Sequence, residues 1–151
     1  MPRLSLALAA LAAVSAFGAG SAAAATPAAT YCAAKGGTVT WSALPHGGPA
    51  GLCTFHRASD DTSITVGLRT LASRTATLAE RAYLQRTKVA AVTNGSNPAS
   101  DYCAQLHGSE PIEGICRFAD GSMIDSWGLT YHAQGTVRGR DLGPLFRARA
   151  A

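Results

Sequence analysis

The chain has 151 residues, a formal net charge of +4, 47% hydrophobic residues and four cysteines. Residues 26–151 contain only 22 Leu, Ile, Val or Phe residues in 126, which is few for a hydrophobic core, although the low net charge is not typical of disorder. The small basic excess does not indicate nucleic acid as a partner, and we expect no nucleic-acid binding.

The first 25 residues have the pattern of a secretory signal peptide. Arg3 precedes an uncharged apolar run over 4–17, and the segment ends in four alanines, of which Ala25 is the last. The run is shorter than the roughly 20 apolar residues of a transmembrane helix. We therefore predict cleavage near Ala25 and a periplasmic or secreted bacterial protein with no transmembrane segment in the mature chain.

Two stretches of the chain open in almost the same way: residues 26–37 read TPAATYCAAKGG, and residues 97–108 read NPASDYCAQLHG. Each opening is followed, in the same order, by a Gly-x-Cys-x-Phe segment, a turn with an acid and a serine, and a Gly-Leu pair. These segments lie at 51–55, 61–63 and 67–68 after the first opening, and at 114–118, 120–122 and 128–129 after the second. Four similar stretches in one order indicate a duplication.

The predicted elements of each copy are a short helix and a β-hairpin. Thr26 and Asn97 are N-cap candidates before prolines at the first helical position. The glycines at 36–37 and the pair His107-Gly108 are typical helix ends. Residues 38–41 and 52–55 have the β-branched and aromatic content of two strands, and the second copy has a shorter hairpin.

The four cysteines predict two disulfide bonds, because export leads to an oxidising compartment. Side-chain alternation places a hairpin cysteine next to the helix cysteine of the same copy, which favours Cys32–Cys53 and Cys103–Cys116. The alternative pairing, Cys32–Cys103 with Cys53–Cys116, would join the copies into one core. The expected fold is α+β: two small disulfide-stapled units, each a short helix plus a β-hairpin, joined by a helical segment.

The segments outside the copies are a helical linker and a tail. Thr77 and Glu80 form a capping-box pattern, and helix-forming residues continue to Lys88 with a charged face that we expect to be solvated. The tail is rich in glycine and arginine, and we expect it to be poorly ordered. The predicted organisation is a signal peptide at 1–25, a first, degenerate repeat at 26–72, a helical linker at 73–96, a second repeat at 97–134 and a basic flexible tail at 135–151.

The order of these motifs resembles the domain-of-unknown-function 333 family, whose members often carry the label haemolysin. Residues 97–127 match the family pattern well, with Asp125 two residues before Trp127. The first copy, 26–68, matches less well: Val66 stands where the family pattern has tryptophan, and residues 56–60 are an insertion. The resemblance implies a small secreted or envelope module and brings no established activity, ligand or catalytic residue.

Candidate chemistry is sparse in this sequence. Cys103, His107 and Cys116 could approach one another as zinc ligands, but disulfide pairing of the cysteines is the better interpretation. Ser122 lacks a nucleophile-elbow motif, and Glu110 and Glu113 lie in a short predicted loop. We predict no catalytic residue, cofactor or metal.

The sequence does not determine the function, and a secreted or periplasmic binding or structural module is the working hypothesis. Asp125, Trp127 and Trp41 could form a recognition surface, although both tryptophans could equally be core residues. A basic tail could contact an anionic cell-envelope polymer through Arg138, Arg140, Arg147 and Arg149. The alternatives are an envelope-directed enzyme and a membrane-active protein, as the family label suggests.

Overall fold

The protein was analysed as a computed structural model, which describes residues 26–88 and 97–147. The predicted signal peptide, its cleavage site and the end of the linker, 89–96, lie outside the described residues. Within the described ranges, no helix has the length and apolar character needed to cross a membrane.

The two halves of the chain, residues 26–72 and 97–134, have the same order of elements: helix, three strands, helix. The first half comprises α1 (Pro27–Ala34), β1 (Thr38–Ala43), β2 (Pro49–Arg57), β3 (Thr62–Gly67) and α2 (Leu68–Ala72). Helix α3 (Leu78–Gln85) lies between the halves. The second half comprises α4 (Pro98–Gln105), β4 (Ser109–Ile112), β5 (Ile115–Arg117), β6 (Met123–Asp125) and α5 (Ser126–Ala133), and α6 (Gly143–Arg147) follows it.

All six of these strands form one antiparallel sheet in the order β1-β2-β3-β6-β5-β4. The halves meet where β3 pairs with β6, at Val66 opposite Ile124. Since opposed residues share a face, the register puts five side chains in one row across the sheet: Val39, Cys53, Val66, Ile124 and Cys116. The main core lies between this face and the helices, and it includes residues from each of α1 to α6.

The α+β class was predicted correctly, but the two separate helix-and-hairpin units were not. Each half contributes a third strand and a second helix, and the sheet is continuous across the join. The third strand of the first half, TSITVG, is rich in β-branched residues, although only a turn was predicted there. A hairpin needs further strands to be stable, and the join supplies them.

The disulfide pairing was predicted correctly: Cys32 bonds to Cys53, and Cys103 bonds to Cys116. Each bond connects the first helix of a half to its second strand, and the four cysteines are at most 1% exposed. In each half the second residue of the helix stop, Gly37 or Gly108, lies directly against the sulfur atoms.

The turn between the second and third strands of each half uses an aspartate and a hydroxyl. Asp120 accepts hydrogen bonds from Ser122, as Asp60 does from Thr62, and the residue between them has a positive φ in both turns. The structure therefore aligns 60–62 with 120–122, one residue away from the alignment predicted from the sequence. Each hydroxyl also accepts an N–H from a later segment: Thr62 from Gly139 at 2.7 Å, and Ser122 from Ala79 at 3.0 Å.

The predicted flexible tail differs from the structure over its described part. Leu142 and Phe146 are fully buried and Leu145 is nearly so, because α6 packs into the main core. Gly139 crosses the sheet so closely that a Cβ there would lie 2.5 Å from the carbonyl oxygen of Phe55. Leu142, Leu145 and Phe146 have the spacing of an amphipathic helix face. The prediction of a poorly ordered tail gave more weight to the surrounding glycines and arginines.

Helix α3 lies within the segment 73–96 that was predicted as a helical linker, and Thr77 caps the helix by accepting the N–H of Glu80 at 3.2 Å. The helix ends at Gln85 rather than Lys88, because Arg86 adopts a left-handed conformation with φ 49°. It buries Ala79, Ala82 and Tyr83, so α3 is part of the core as well as a connection.

Candidate functional site

A groove of about 360 Å³ opens at the end of the sheet where β1 ends and α2 begins. Residues of both halves line it, so the join between β3 and β6 fixes its shape. Its apolar lining includes Trp41, Leu44, Leu68 and Met123, and two arginines, Arg69 and Arg117, also contribute.

Trp41 is the most exposed large apolar side chain of the described residues, at 47%. It stands opposite Gly51 in the β1–β2 pair. A Cβ at Gly51 would lie 2.6 Å from Cδ1 of Leu68 and 2.8 Å from Cζ3 of Trp41. The glycine therefore lets the indole ring and Leu68 pack onto the strand, and it presents Trp41 as one wall of the groove.

The floor of the groove rests on a small cluster of buried apolar side chains. Ala50, Leu52, Ile115 and Met123 pack together and bring strands of both halves into contact. The buried hydroxyl of Thr70, on α2, donates to the carbonyl of Met123 at 3.1 Å and accepts its N–H at 2.8 Å. This pair of bonds fixes α2, and with it Arg69, to the second half.

Arg69 and Arg117 are both exposed, and they give the groove a positive charge. Among residues 26–88 and 97–147, neither forms an ion pair with a carboxylate. Two guanidinium groups beside an aromatic wall are suited to a ligand that has anionic oxygens next to an apolar or ring face.

The structure does not bring the three predicted recognition residues together. Trp41 lies in the groove, whereas Asp125 and Trp127 lie at the start of α5. The Asp125 carboxylate caps that helix by accepting the N–H of Gly128 at 2.6 Å, and burial raises the pKa of this carboxyl. Trp127 is half-buried and stacks on Tyr131, with 5.6 Å between ring centroids.

The other residues singled out in the sequence hold the fold together. Cys103 and Cys116 are bonded to each other and are not available as thiolate ligands beside His107. Glu110 accepts hydrogen bonds from Ser100, at 2.6 Å, and from Ser126, and so ties α4 to α5. Ser122 accepts the Ala79 N–H at the start of α3.

The described tail arginines are engaged in packing. The guanidinium of Arg138 lies 5.1 Å from the Tyr131 ring centroid. That of Arg140 lies 5.5 Å from the Phe55 ring centroid and donates to the carbonyl of Lys35. The Arg147 side chain and Arg149 lie outside the described part of the chain.

Sequence reasoning missed most of the groove. Only Trp41 was selected, because Arg69, Arg117 and Met123 belong to segments whose pairing depends on the β3–β6 join. A third predicted strand in each half was the signal that could have placed these residues near one another.

Comparisons with known proteins add one result. No curated protein and no solved structure gives a significant match to the chain. One family model matches the segment 23–60. This segment includes α1, β1, β2 and both cysteines of the first disulfide, and it lies in the copy that we expected to match less well. Residues 23–60 match the family model described as Domain of unknown function (DUF333), and this match supports the family for that segment.

Proposed function

We propose that the protein is an exported, disulfide-stabilised binding module that holds an anionic cell-envelope polymer in the groove beside Trp41. The groove carries the proposal: it combines an exposed indole with two arginines that have no carboxylate partner among the described residues. Export is supported by the sequence pattern of residues 1–25 and by two buried disulfides, which form in oxidising compartments.

The groove chemistry favours a polymer with rings and charges. An indole face binds the apolar face of a sugar or another ring, while guanidinium groups bind phosphate or carboxylate oxygens in pairs. Because Thr70 anchors α2 to β6, Arg69 is held on a rigid element before the ligand arrives. This preorganisation reduces the entropy cost of binding.

The tail arginines are a second contact for the same polymer. Arg138 and Arg140 already interact with aromatic rings, so they add positive charge near the surface rather than a free bidentate contact. We therefore expect their removal, together with that of Arg147 and Arg149, to weaken binding less than the removal of Arg69 and Arg117.

We also infer that the chain is a fused duplication of one family unit. This inference is supported by three features that both halves share. Each has a capped first helix, a disulfide packed against a glycine, and an aspartate–hydroxyl turn whose hydroxyl accepts an N–H from a segment outside that half. In this interpretation the groove is a site that a single unit does not have, because the two halves line it jointly.

A fluorescence titration tests the proposed function. Trp127→Phe leaves Trp41 as the only tryptophan, so its emission reports on the groove. Addition of a phosphodiester or polyuronate polymer should change the emission with saturation, and the apparent Kd should rise steeply with salt. Arg69→Gln with Arg117→Gln should weaken binding at least tenfold.

The matched control replaces two exposed arginines outside the groove, Arg74 and Arg81, by Gln, which makes the same change in net charge. Equal losses in the two double variants would show non-specific attraction and would reject the groove. Cleavage of the polymer by the purified protein would support the envelope-directed enzyme, and leakage of lipid vesicles would support the membrane-active alternative.

A further inference from the structure

A buried histidine connects helix α5 to α3 and, through Tyr83, to the segment that precedes α6. His132, on α5, is 3% exposed, and its ring stacks on Tyr83 of α3 with 3.7 Å between centroids and an interplanar angle of 7°. The Tyr83 hydroxyl lies 3.1 Å from a carboxylate oxygen of Asp141 and accepts the N–H of Leu142 at 3.2 Å. The stack therefore links α5 and α3 to the segment that leads into α6.

The hydrogen bonds allow only one protonation state of the imidazole ring. Nε of Arg86, just after α3, donates to Nε2 of His132 at 3.0 Å. Nε2 must therefore carry a lone pair, and the single ring proton is on Nδ1. Among the described residues, this buried Nδ1 has no hydrogen-bond partner.

The charged form of His132 is incompatible with this arrangement. A second proton on Nε2 would remove the acceptor of the Arg86 bond and place two cations in contact, with the imidazolium cut off from water. Burial and the Arg86 charge both lower the pKa of His132, while Asp141 acts in the opposite direction. Among the described residues, Tyr83 and the buried Glu80 also lie on α3, and Tyr102 on α4 donates its hydroxyl to the carbonyl of Thr87, next to Arg86.

We propose that His132 is an acid-sensitive latch: its protonation releases the end of α3 and residues 138–147 from α5 while the disulfide-bonded sheet stays folded. The released segment carries Arg138 and Arg140, whose guanidinium groups would then lose their contacts with the Tyr131 and Phe55 rings. Each half keeps its own disulfide when the latch opens, so the first helix of each half stays covalently joined to its second strand.

The direction of the pH effect follows from proton binding. A histidine in an unfolded chain takes up a proton near pH 6.5, whereas His132 in the closed latch takes it up only at lower pH. Below about pH 6.5 the open form therefore binds more protons than the closed form, and acid favours opening by up to about tenfold per pH unit. Above that pH the histidine is neutral in both forms, and the opening equilibrium no longer changes with its protonation.

Hydrogen exchange by mass spectrometry between pH 7.5 and 5 tests the latch. After correction for intrinsic rates, peptides over 78–88 and 138–147 should lose protection by several-fold for each pH unit below 6.5, while a β2 peptide over 49–57 keeps its protection. His132→Phe keeps a ring for the stack and removes the titration, so its protection should not vary with pH.

Two further variants separate the latch from a general loss of stability. Arg86→Gln should reduce the pH dependence, because it removes the cation that opposes protonation. This variant changes an exposed side chain, so it tests the latch independently of His132→Phe. His46→Gln, which removes an exposed histidine, should leave the profile unchanged. Equal pH profiles in the wild type and Arg86→Gln, or parallel loss of protection in β2, would overturn the proposal.

Discussion

Gly108→Ala should destabilise the protein although alanine fits the backbone at this position. A Cβ built on Gly108 would lie 2.4 Å from Sγ of Cys116 and 2.7 Å from Sγ of Cys103. These distances are about 1 Å shorter than the optimal separation of non-bonded heavy atoms, which is about 3.5–4.0 Å. Both sulfur atoms are held by their mutual bond and by surrounding core residues, so neither can rotate away.

The expected magnitude is the sum of two opposing effects. Overpacking of this kind costs about 1–3 kcal/mol. Gly→Ala also removes conformational freedom from the unfolded chain, which stabilises the fold by about 0.4–1 kcal/mol where the backbone permits alanine. The free energy of unfolding should therefore fall by about 1–2 kcal/mol, and Gly37→Ala should behave alike, since its Cβ would lie 2.4 Å from Sγ of Cys53.

Urea unfolding followed by circular dichroism measures this change. Gly48→Ala is the control, because a Cβ at Gly48 has no neighbour within 4 Å, and this variant should be neutral or slightly stabilised. A double-mutant cycle identifies the cause: in a Cys103→Ala, Cys116→Ala background the sulfur atoms are absent, and Gly108→Ala should cost little. An equal cost with and without the disulfide would refute the steric explanation.

Three further predictions concern the rest of the fold. Phe146→Ala should lower the free energy of unfolding by about 3–5 kcal/mol, because the ring is fully buried in the main core. An unchanged free energy in urea unfolding would support the flexible tail predicted from the sequence instead. His107→Gly should stabilise the protein by about 1 kcal/mol, because His107 has φ 61°, and a lower thermal midpoint would contradict this. For Asp120, burial raises the pKa, but hydrogen bonds from Ser122 and from the Leu78 N–H outweigh it and lower the pKa overall. Its stabilising effect should be present above about pH 4 and be lost as the pH falls further, so urea midpoints of the wild type and Asp120→Asn should converge in acid.

Local features of this fold could be predicted from the sequence. The caps at Thr26 and Asn97 and the disulfide pairing depend on nearby residues and on the similarity of the two copies, and the structure has all of them. The predicted alignment of the two aspartate turns was shifted by one residue, because Asp60 and Asp61 are adjacent and either could match Asp120. The hydrogen bond from Thr62 identifies Asp60 as the equivalent residue.

Features that depend on contacts between the halves could not be predicted. The β3–β6 join involves one register pair, Val66 opposite Ile124, and nothing in either strand specifies its partner. The burial of Leu142 and Phe146 likewise depends on Tyr83 and His132, which are distant in sequence. The groove forms only where the two halves join. Arg69 and Arg117 therefore could not be predicted as neighbours from either copy by itself.

The central claim is that an anionic polymer binds at the groove beside Trp41, and an NMR footprint tests it most directly. Short oligomers of the polymer are added to ¹⁵N-labelled protein, and the shifts of backbone and indole N–H signals are mapped. The account predicts the largest shifts at the Trp41 indole, Gly51, Arg69 and Arg117, with small shifts around Tyr131. Shifts confined to residues 131–147, with the Trp41 indole unmoved, would contradict it.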